Sequence, residues 1–272
     1  MIYCRAAPGK SCKTFIPVAK PLDGVTVLVT RPAHQAEHLC QLIATQGGTA
    51  RRFPLLAITE PRDPEALRAI TRRLAEFDLV IFISPNAVEK GMQVIQEQGG
   101  LPVRIKVAAV GQGSARRLAE LGVNTDIFPA QQFNSEALLA MEELQSVSGK
   151  RIVIYRGEGG RELLAQTLRE RGATVEYAEC YRREKPDVDP DALTNWLNRD
   201  ELDILTVTSS ESLRNMVELL NGPARSALLA LPIIVVSERM QQLACELGFK
   251  TPAIIVKKAG DAAIVQAIID GR

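Results

Sequence analysis

Apolar residues in this chain gather into short unbroken runs, each followed by a stretch that reads as helix. Residues 25–30, 79–83, 106–110, 151–155, 203–208 and 232–236 are brief, β-branched and apolar throughout. Runs without polar alternation suit parallel strands buried on both faces. Residues 33–46, 115–121, 135–144, 161–171, 211–220 and 239–247 supply the helices, and Gly47, Gly122, Gly172 and Gly248 end four of them. Such alternation predicts parallel sheets with right-handed crossovers.

The pattern repeats. Gly24 to Pro61 aligns without a gap on Gly149 to Pro186, an offset of 125. Gly24, Arg31, Glu37, Leu39, Gln41, Gly47 and Thr49 fall on Gly149, Arg156, Glu162, Leu164, Gln166, Gly172 and Thr174. The same offset carries Asp78 onto Asp203 and Ser84 onto Ser209. One extra residue brings Leu121-Gly122 onto Leu247-Gly248. The chain therefore reads A, B, A′, B′. The equivalent stretches 49–60 and 174–185 are extended and run into prolines. They fit rim strands or links between lobes, and the residues alone leave open whether A packs with B or with B′.

Ligands of open parallel sheets bind beyond the carboxyl ends of the strands, where helix N-termini favour anions. Three pairs of turns stand there. Thr30-Arg31-Pro32 matches Arg156-Gly157, whose arginines suit carboxylates and whose glycines admit a close backbone. Either arginine is equally able to pair locally, with Glu37 or Glu162. Ser84-Pro85-Asn86 matches Ser209-Ser210-Glu211; serine before proline is also a plain helix cap. Gly111-Gln112-Gly113-Ser114 matches Ser237-Glu238-Arg239. Arg116 stands where a dinucleotide fingerprint needs its last glycine, and no phosphate-loop motif occurs, so neither NAD nor ATP is expected.

Composition narrows the class. Lys+Arg total 33 against 32 for Asp+Glu, a net charge of +1, which gives no reason to expect nucleic acid or an anionic membrane. No apolar run is long enough to span a bilayer, and residues 1–20 lack the apolar core of a secretory signal, reading instead as a disordered extension. Cys4, Cys12, Cys40, Cys180 and Cys245 are scattered and odd in number, as free thiols in a reducing compartment are. His34 and His38 stand at i, i+4 but lack a third ligand, so a solvated helix face is expected rather than a metal. From residues alone the chain is a two-lobed α/β protein that holds a multiply anionic small molecule.

Seven motifs, in order, resemble the uroporphyrinogen-III synthase family. They are VTRP at 29–32, FISPNAV at 82–88, AVGQGSARRLAELG at 109–122, RGEGGRELLAQTLRERG at 156–172, Tyr181 before a charged stretch, TSSESL at 208–213 and VSERMQQLACELG at 236–248. The resemblance implies two similar parallel-sheet lobes joined by a two-stranded linker. Residues 21–53 and 182–272 would form the discontinuous first lobe and 54–181 the second.

It also implies a reaction. Hydroxymethylbilane, a linear tetrapyrrole with eight carboxylates, loses its terminal hydroxyl to give an azafulvene. The last pyrrole attacks through its substituted carbon, and a spiro intermediate reopens and recloses with that ring inverted. The enzyme would be a cofactor-free, metal-free lyase of tetrapyrrole (heme) biosynthesis. It would act as a cytoplasmic monomer on a small molecule, without nucleic acid or membrane. Tyr181 would assist departure of the hydroxyl, since a phenol stays protonated at neutral pH. Thr30, Arg31, Ser84, Asn86, Gly111, Gly113, Arg156, Gly157, Ser209, Ser210 and Ser237 would bind substrate. The family often carries a small polar residue near position 240, where this chain has Met240; Ser237 is the neighbouring hydroxyl. The alternatives are a bilobed anion sensor without turnover and a transferase using a nucleotide sugar.

Overall fold

The computed structural model describes residues 19–129, 134–256 and 260–271, so most of the expected extension, with Cys4 and Cys12, lies outside the described residues. The described residues begin with β1 (Thr26–Val29), α1 (Ala33–Thr45), β2 (Thr49–Arg52), β3 (Ala57–Thr59), α2 (Pro64–Arg72), β4 (Leu79–Phe82), α3 (Pro85–Glu97), β5 (Lys106–Ala109) and α4 (Gln112–Glu120). The middle holds α5 (Ser135–Leu139), α6 (Glu142–Gln145), β6 (Arg151–Gly157), α7 (Leu163–Glu170), β7 (Thr174–Glu184) and α8 (Pro190–Asn198). The last part is β8 (Ile204–Thr206), α9 (Ser210–Leu219), α10 (Gly222–Ala230), β9 (Ile233–Val235), α11 (Glu238–Glu246), β10 (Ile254–Ile255) and α12 (Asp261–Asp270).

Two five-stranded sheets result, ordered β10-β9-β8-β1-β2 and β3-β7-β6-β4-β5. The chain crosses from the first to the second between Arg52 and Ala57, and returns after Glu184. Side chains alternate faces, as strand geometry requires. In β4, Val80 and Phe82 enter one core while Leu79 and Ile81 enter the other. In β1, Leu28 points to one side and Val27 and Val29 to the other.

Strand pairing answers the question left open by the repeat: A pairs with B′, and B with A′. Thr26 pairs with Thr49 and Arg151 with Thr174, which is one register displaced by the repeat offset. Val27 pairs with Ile204, and Ile152 with Leu79, again equivalent positions. The aspartates follow suit. Asp203 Oδ2 accepts the Thr26 N–H at 2.7 Å, and Asp78 Oδ2 accepts the Arg151 N–H at 2.8 Å.

The structure corrects four expectations. Parallel pairing is not universal, because β3 runs antiparallel to β7, Ala57 opposite Glu184. The stretch 49–60 is broken at Pro54, which has no N–H for a ladder, whereas 174–184 is one strand. The expected helix 135–144 is two short ones, because Arg171 Nη1 and Gln145 Nε2 take the Leu139 carbonyl at 2.8 and 2.7 Å. The Gly111–Ser114 turn is mostly helix, since α4 begins at Gln112 with Gly111 as its cap. Short helices α2, α8, α10 and α12 went unpredicted, although Asp63-Pro64 and Asp189-Pro190 are cap signals. Among the described residues no helix is long and apolar enough to cross a membrane.

Candidate functional site

Counted within its own part of the chain, the first sheet has the order 2-1-3-4-5, and the four parallel strands of the second have the order 2-1-3-4, with antiparallel β3 at the edge beside β7. This order places a switch point between β1 and β8 in one sheet and between β6 and β4 in the other. Ligands of such sheets bind outside the carboxyl ends of the strands at that point. At the carboxyl ends of these four strands stand Thr30 and Arg31, Ser209 with Ser210 opening α9, Gly157 ending β6, and Ser84.

A hollow of about 510 Å³ is shared by the two sheets. Arg156, Gly157, Tyr181 and Arg183 reach it from one, and Ser209, Ser210, Glu211 and Arg239 from the other. A second hollow of about 510 Å³, lined by Arg62, Arg182 and Glu184, adjoins it through Gly159, Arg183 and Glu211. Five expected residues thus meet at one cavity: Arg156, Gly157, Tyr181, Ser209 and Ser210. A larger hollow of about 830 Å³ lies against α12, but it contains none of the expected residues.

Tyr181 is fully buried in the wall of the shared hollow. Its Oη lies 3.0 Å from Ser84 Oγ and accepts from Arg183 Nη2 at 3.3 Å. Ser84 also caps α3, accepting the Ala87 N–H at 3.1 Å, so one hydroxyl ties the helix to the phenol. The ring packs on bare backbone. A Cβ added to Gly157 would lie 2.6 Å from Tyr181 Cε2. Gly157 therefore admits a close approach, though of a tyrosine rather than a ligand. Ser209 and Ser237 cap α9 and α11 in the same manner, accepting from Ser212 and Met240 N–H.

The two repeat arginines differ in their surroundings. Arg156 is 2% exposed, and its guanidinium donates to the carbonyls of Gly157 and Gly159 and to Glu162. It also lies over the Tyr177 ring, 4.4 Å from the centroid. Local pairing with Glu162 is thus realised, and Arg156 braces the glycine turn. Tyr177 donates to Glu162 at 2.6 Å; that bond, then Arg156, holds the Glu162 carboxyl below its ordinary range. Arg31 pairs with Asp261 at 2.5 Å rather than with Glu37, which Arg52 takes.

Other expected residues stand apart from the shared hollow. The Thr30 hydroxyl is buried and donates to the Thr206 carbonyl at 2.9 Å. Asn86 Oδ1 accepts from Gln35 Nε2 at 2.5 Å, a bond between α1 and α3 that joins the two halves. Gly111 caps α4, and Gly113 packs on Pro85. His38 is not merely solvated, since its Nδ1 lies 2.8 Å from Asp261 Oδ2. Among the described residues no three His, Cys, Asp or Glu side chains converge as a metal set. The thiols of Cys40, Cys180 and Cys245 are free. Burial pushes the Cys180 thiol up to about 12, which makes it a poor nucleophile.

Sequence reasoning missed Arg183 and Asp261, and met Arg239 only as part of the Ser237-Glu238-Arg239 turn. The Arg182-Arg183 pair directly after Tyr181 was a usable signal. Nothing in the sequence joins Arg31 to an acid 230 residues away.

The family model described as "Uroporphyrinogen-III synthase HemD" matches residues 37–266. The chain is 35% identical to a uroporphyrinogen-III synthase of Salmonella typhimurium over 88% of this chain and 98% of that one. It is 34% identical to the Escherichia coli protein of the same name, with the same two coverages. A mutant uroporphyrinogen III synthase from Thermus thermophilus superposes with a TM-score of 0.59 at 23% identity, over 90% of this chain and 97% of the other. A uroporphyrinogen-III synthetase from Helicobacter pylori gives 0.56 at 15%, over 91% and 99%. These two structures speak for the fold alone.

Proposed function

The chain belongs to the uroporphyrinogen-III synthase family, and from that premise we propose that it closes hydroxymethylbilane into the inverted macrocycle of heme biosynthesis. The reaction is a cofactor-free dehydration. The terminal C–O bond breaks, the hydroxyl takes a proton and leaves as water, and the pyrrole nitrogen of the same ring gives up its proton. The resulting azafulvene is attacked by the last ring through its substituted carbon. Fragmentation of the spiro intermediate and reclosure then invert that ring. Since unassisted closure gives the uninverted isomer, the protein's contribution is to hold one conformation among many.

The supporting observation is the hollow reached by the carboxyl ends of both sheets, with Tyr181 in its wall and arginines at its edge. In this reading the sheets with their helices are two lobes, 21–53 with 182–272 and 54–181. The antiparallel pair Ala57–Thr59 with the end of β7 lies where the chain crosses between them. Tyr181 hydrogen-bonds the departing hydroxyl, and Ser84 and Arg183 orient it. Ser209, Ser210 and the Gly157 turn face the carboxylates. The protein works as a cytoplasmic monomer.

The test is incubation of purified protein with enzymatically generated hydroxymethylbilane, then oxidation and separation of the product isomers. The inverted isomer is expected, and its absence beside the uninverted one would end the proposal.

A further inference from the structure

Of the arginines around the two hollows, Arg183 and Arg239 have no carboxylate partner among the described residues, and Arg183 alone lines both hollows. Arg156 is paired with Glu162, Arg161 with Glu136, Arg62 with Glu158 and Arg182 with Glu184. Among the described residues no carboxylate pairs with Arg183, and it is exposed. It lines both hollows, which makes it their common wall. What its guanidinium does touch is Tyr181. Nη2 donates to the phenol oxygen at 3.3 Å, and the group lies 5.7 Å from the ring centroid.

A 3.3 Å bond to a neutral oxygen is long, while a guanidinium forks onto a carboxylate at roughly 2.8 Å and about twice the strength. A carboxylate entering either hollow therefore competes well for Arg183. Tyr181, fully buried, has no exposed surface while the present packing lasts. The arginine that meets the ligand is thus the one lying on the phenol.

We propose that Arg183 is a positioning residue that couples recognition of one substrate carboxylate to the exposure and orientation of the Tyr181 phenol. When the carboxylate takes the fork, Nη2 leaves the phenol oxygen while the guanidinium, now fixed by the carboxylate, stays beside the ring and holds it in place. The hydroxyl, still held by Ser84, is then turned toward the leaving group. This inference rests on the cyclase reading and names a device within the same site.

The experiment is a kinetic cycle on the full chain with hydroxymethylbilane, using wild type, Arg183→Met, Arg183→Lys, Tyr181→Phe and Arg183→Met/Tyr181→Phe. Melting temperatures are recorded alongside. Arg183→Met is expected to raise KM about tenfold and lower kcat about tenfold. In the Tyr181→Phe background it should raise KM alone, because no phenol remains to position. Arg183→Lys should recover most of the KM but not the kcat, since an ammonium supplies charge without the planar fork. A kcat loss of equal size in both backgrounds, or an unchanged KM, would overturn the coupling. If Arg183→Met fails to fold, Arg183→Lys in the two backgrounds decides the same point. Wild-type protein yielding only the uninverted isomer would instead overturn the functional reading, and this proposal with it.

Discussion

Replacing Gly157 by alanine tests whether the phenol is held by bare backbone. The added Cβ would lie 2.6 Å from Tyr181 Cε2 and 2.7 Å from Cζ. Carbon atoms in ordinary contact stand about 3.5–4.0 Å apart, so the ring must withdraw by roughly 1 Å. It has little room, because Tyr181 is wholly buried in a core with Phe82, Val88 and Tyr155. The Ser84–Tyr181 contact is 3.0 Å, and a displacement of that size breaks it. Overpacking of this kind costs about 1–3 kcal/mol. At roughly 2–4 °C per kcal/mol for a chain of this size, Tm should fall by about 2–12 °C. The backbone at Gly157 is not left-handed, so the cost comes from contact and not from φ. A cycle isolates it. In a Tyr181→Ala background the same Gly157→Ala change should cost less than about 0.5 kcal/mol, because the obstacle is gone. Calorimetry of the four proteins measures this, and equal costs in both backgrounds would refute the reasoning.

Three further outcomes are expected. Under the proposed role of the phenol in the transition state, Tyr181→Phe should lower kcat by about 10²-fold with a smaller change in KM, read by steady-state kinetics. Asp78→Ala and Asp203→Ala should each cost about 1 kcal/mol in urea unfolding and match one another, since each deletes one acceptor for an equivalent strand N–H. Burial alone would raise the Asp261 carboxyl, but the His38 hydrogen bond and the Arg31 charge outweigh it and hold the carboxyl below its ordinary range. A depressed carboxyl stabilises the fold above its unfolded value, and that contribution is lost as pH falls through the folded one. The Tm gap between wild type and Asp261→Asn should therefore be full at neutral pH and close on acidification.

Much of the fold was legible because it is duplicated. The offset that aligned Gly24 with Gly149 reappears as strand register, with Thr26 on Thr49 and Arg151 on Thr174. A local signal served at Ser84, which caps the helix that Ser84-Pro85 announced; Ser209 and Ser237 cap their helices too, though they were read as binding residues. Legibility failed where the cause is distant in sequence. The partnership of A with B′ depends on β1 meeting β8, far along the chain, and no local preference encodes it. The split between α5 and α6 depends on Arg171 reaching back to two carbonyls. Around the hollow, the sequence named Glu162 as a possible partner of Arg156, which the structure realises, but not Asp261 as the partner of Arg31. Arg31 and Arg156 look alike in the repeat, yet each is spent on an internal acid, while the unpaired Arg183 carries no repeat signature.

That distribution bears on how a polyacid is held. Four arginines around the hollows already have carboxylate partners, which leaves Arg183 and Arg239 without one among the described residues. Two guanidinium groups cannot match eight substrate carboxylates one for one. In the proposed reading the remaining donors are side-chain hydroxyls such as Ser209 and Ser210 together with backbone N–H groups, which the fold supplies at the strand ends. First-turn N–H groups have no intrahelical acceptor, and each serine cap occupies only one of them. The free ones stand at the carboxyl ends of parallel strands, on both sheets, with the positive end of a helix dipole behind them. A site built this way depends on backbone shape more than on side-chain identity. It therefore tolerates wide sequence change so long as the strand ends and caps keep their geometry.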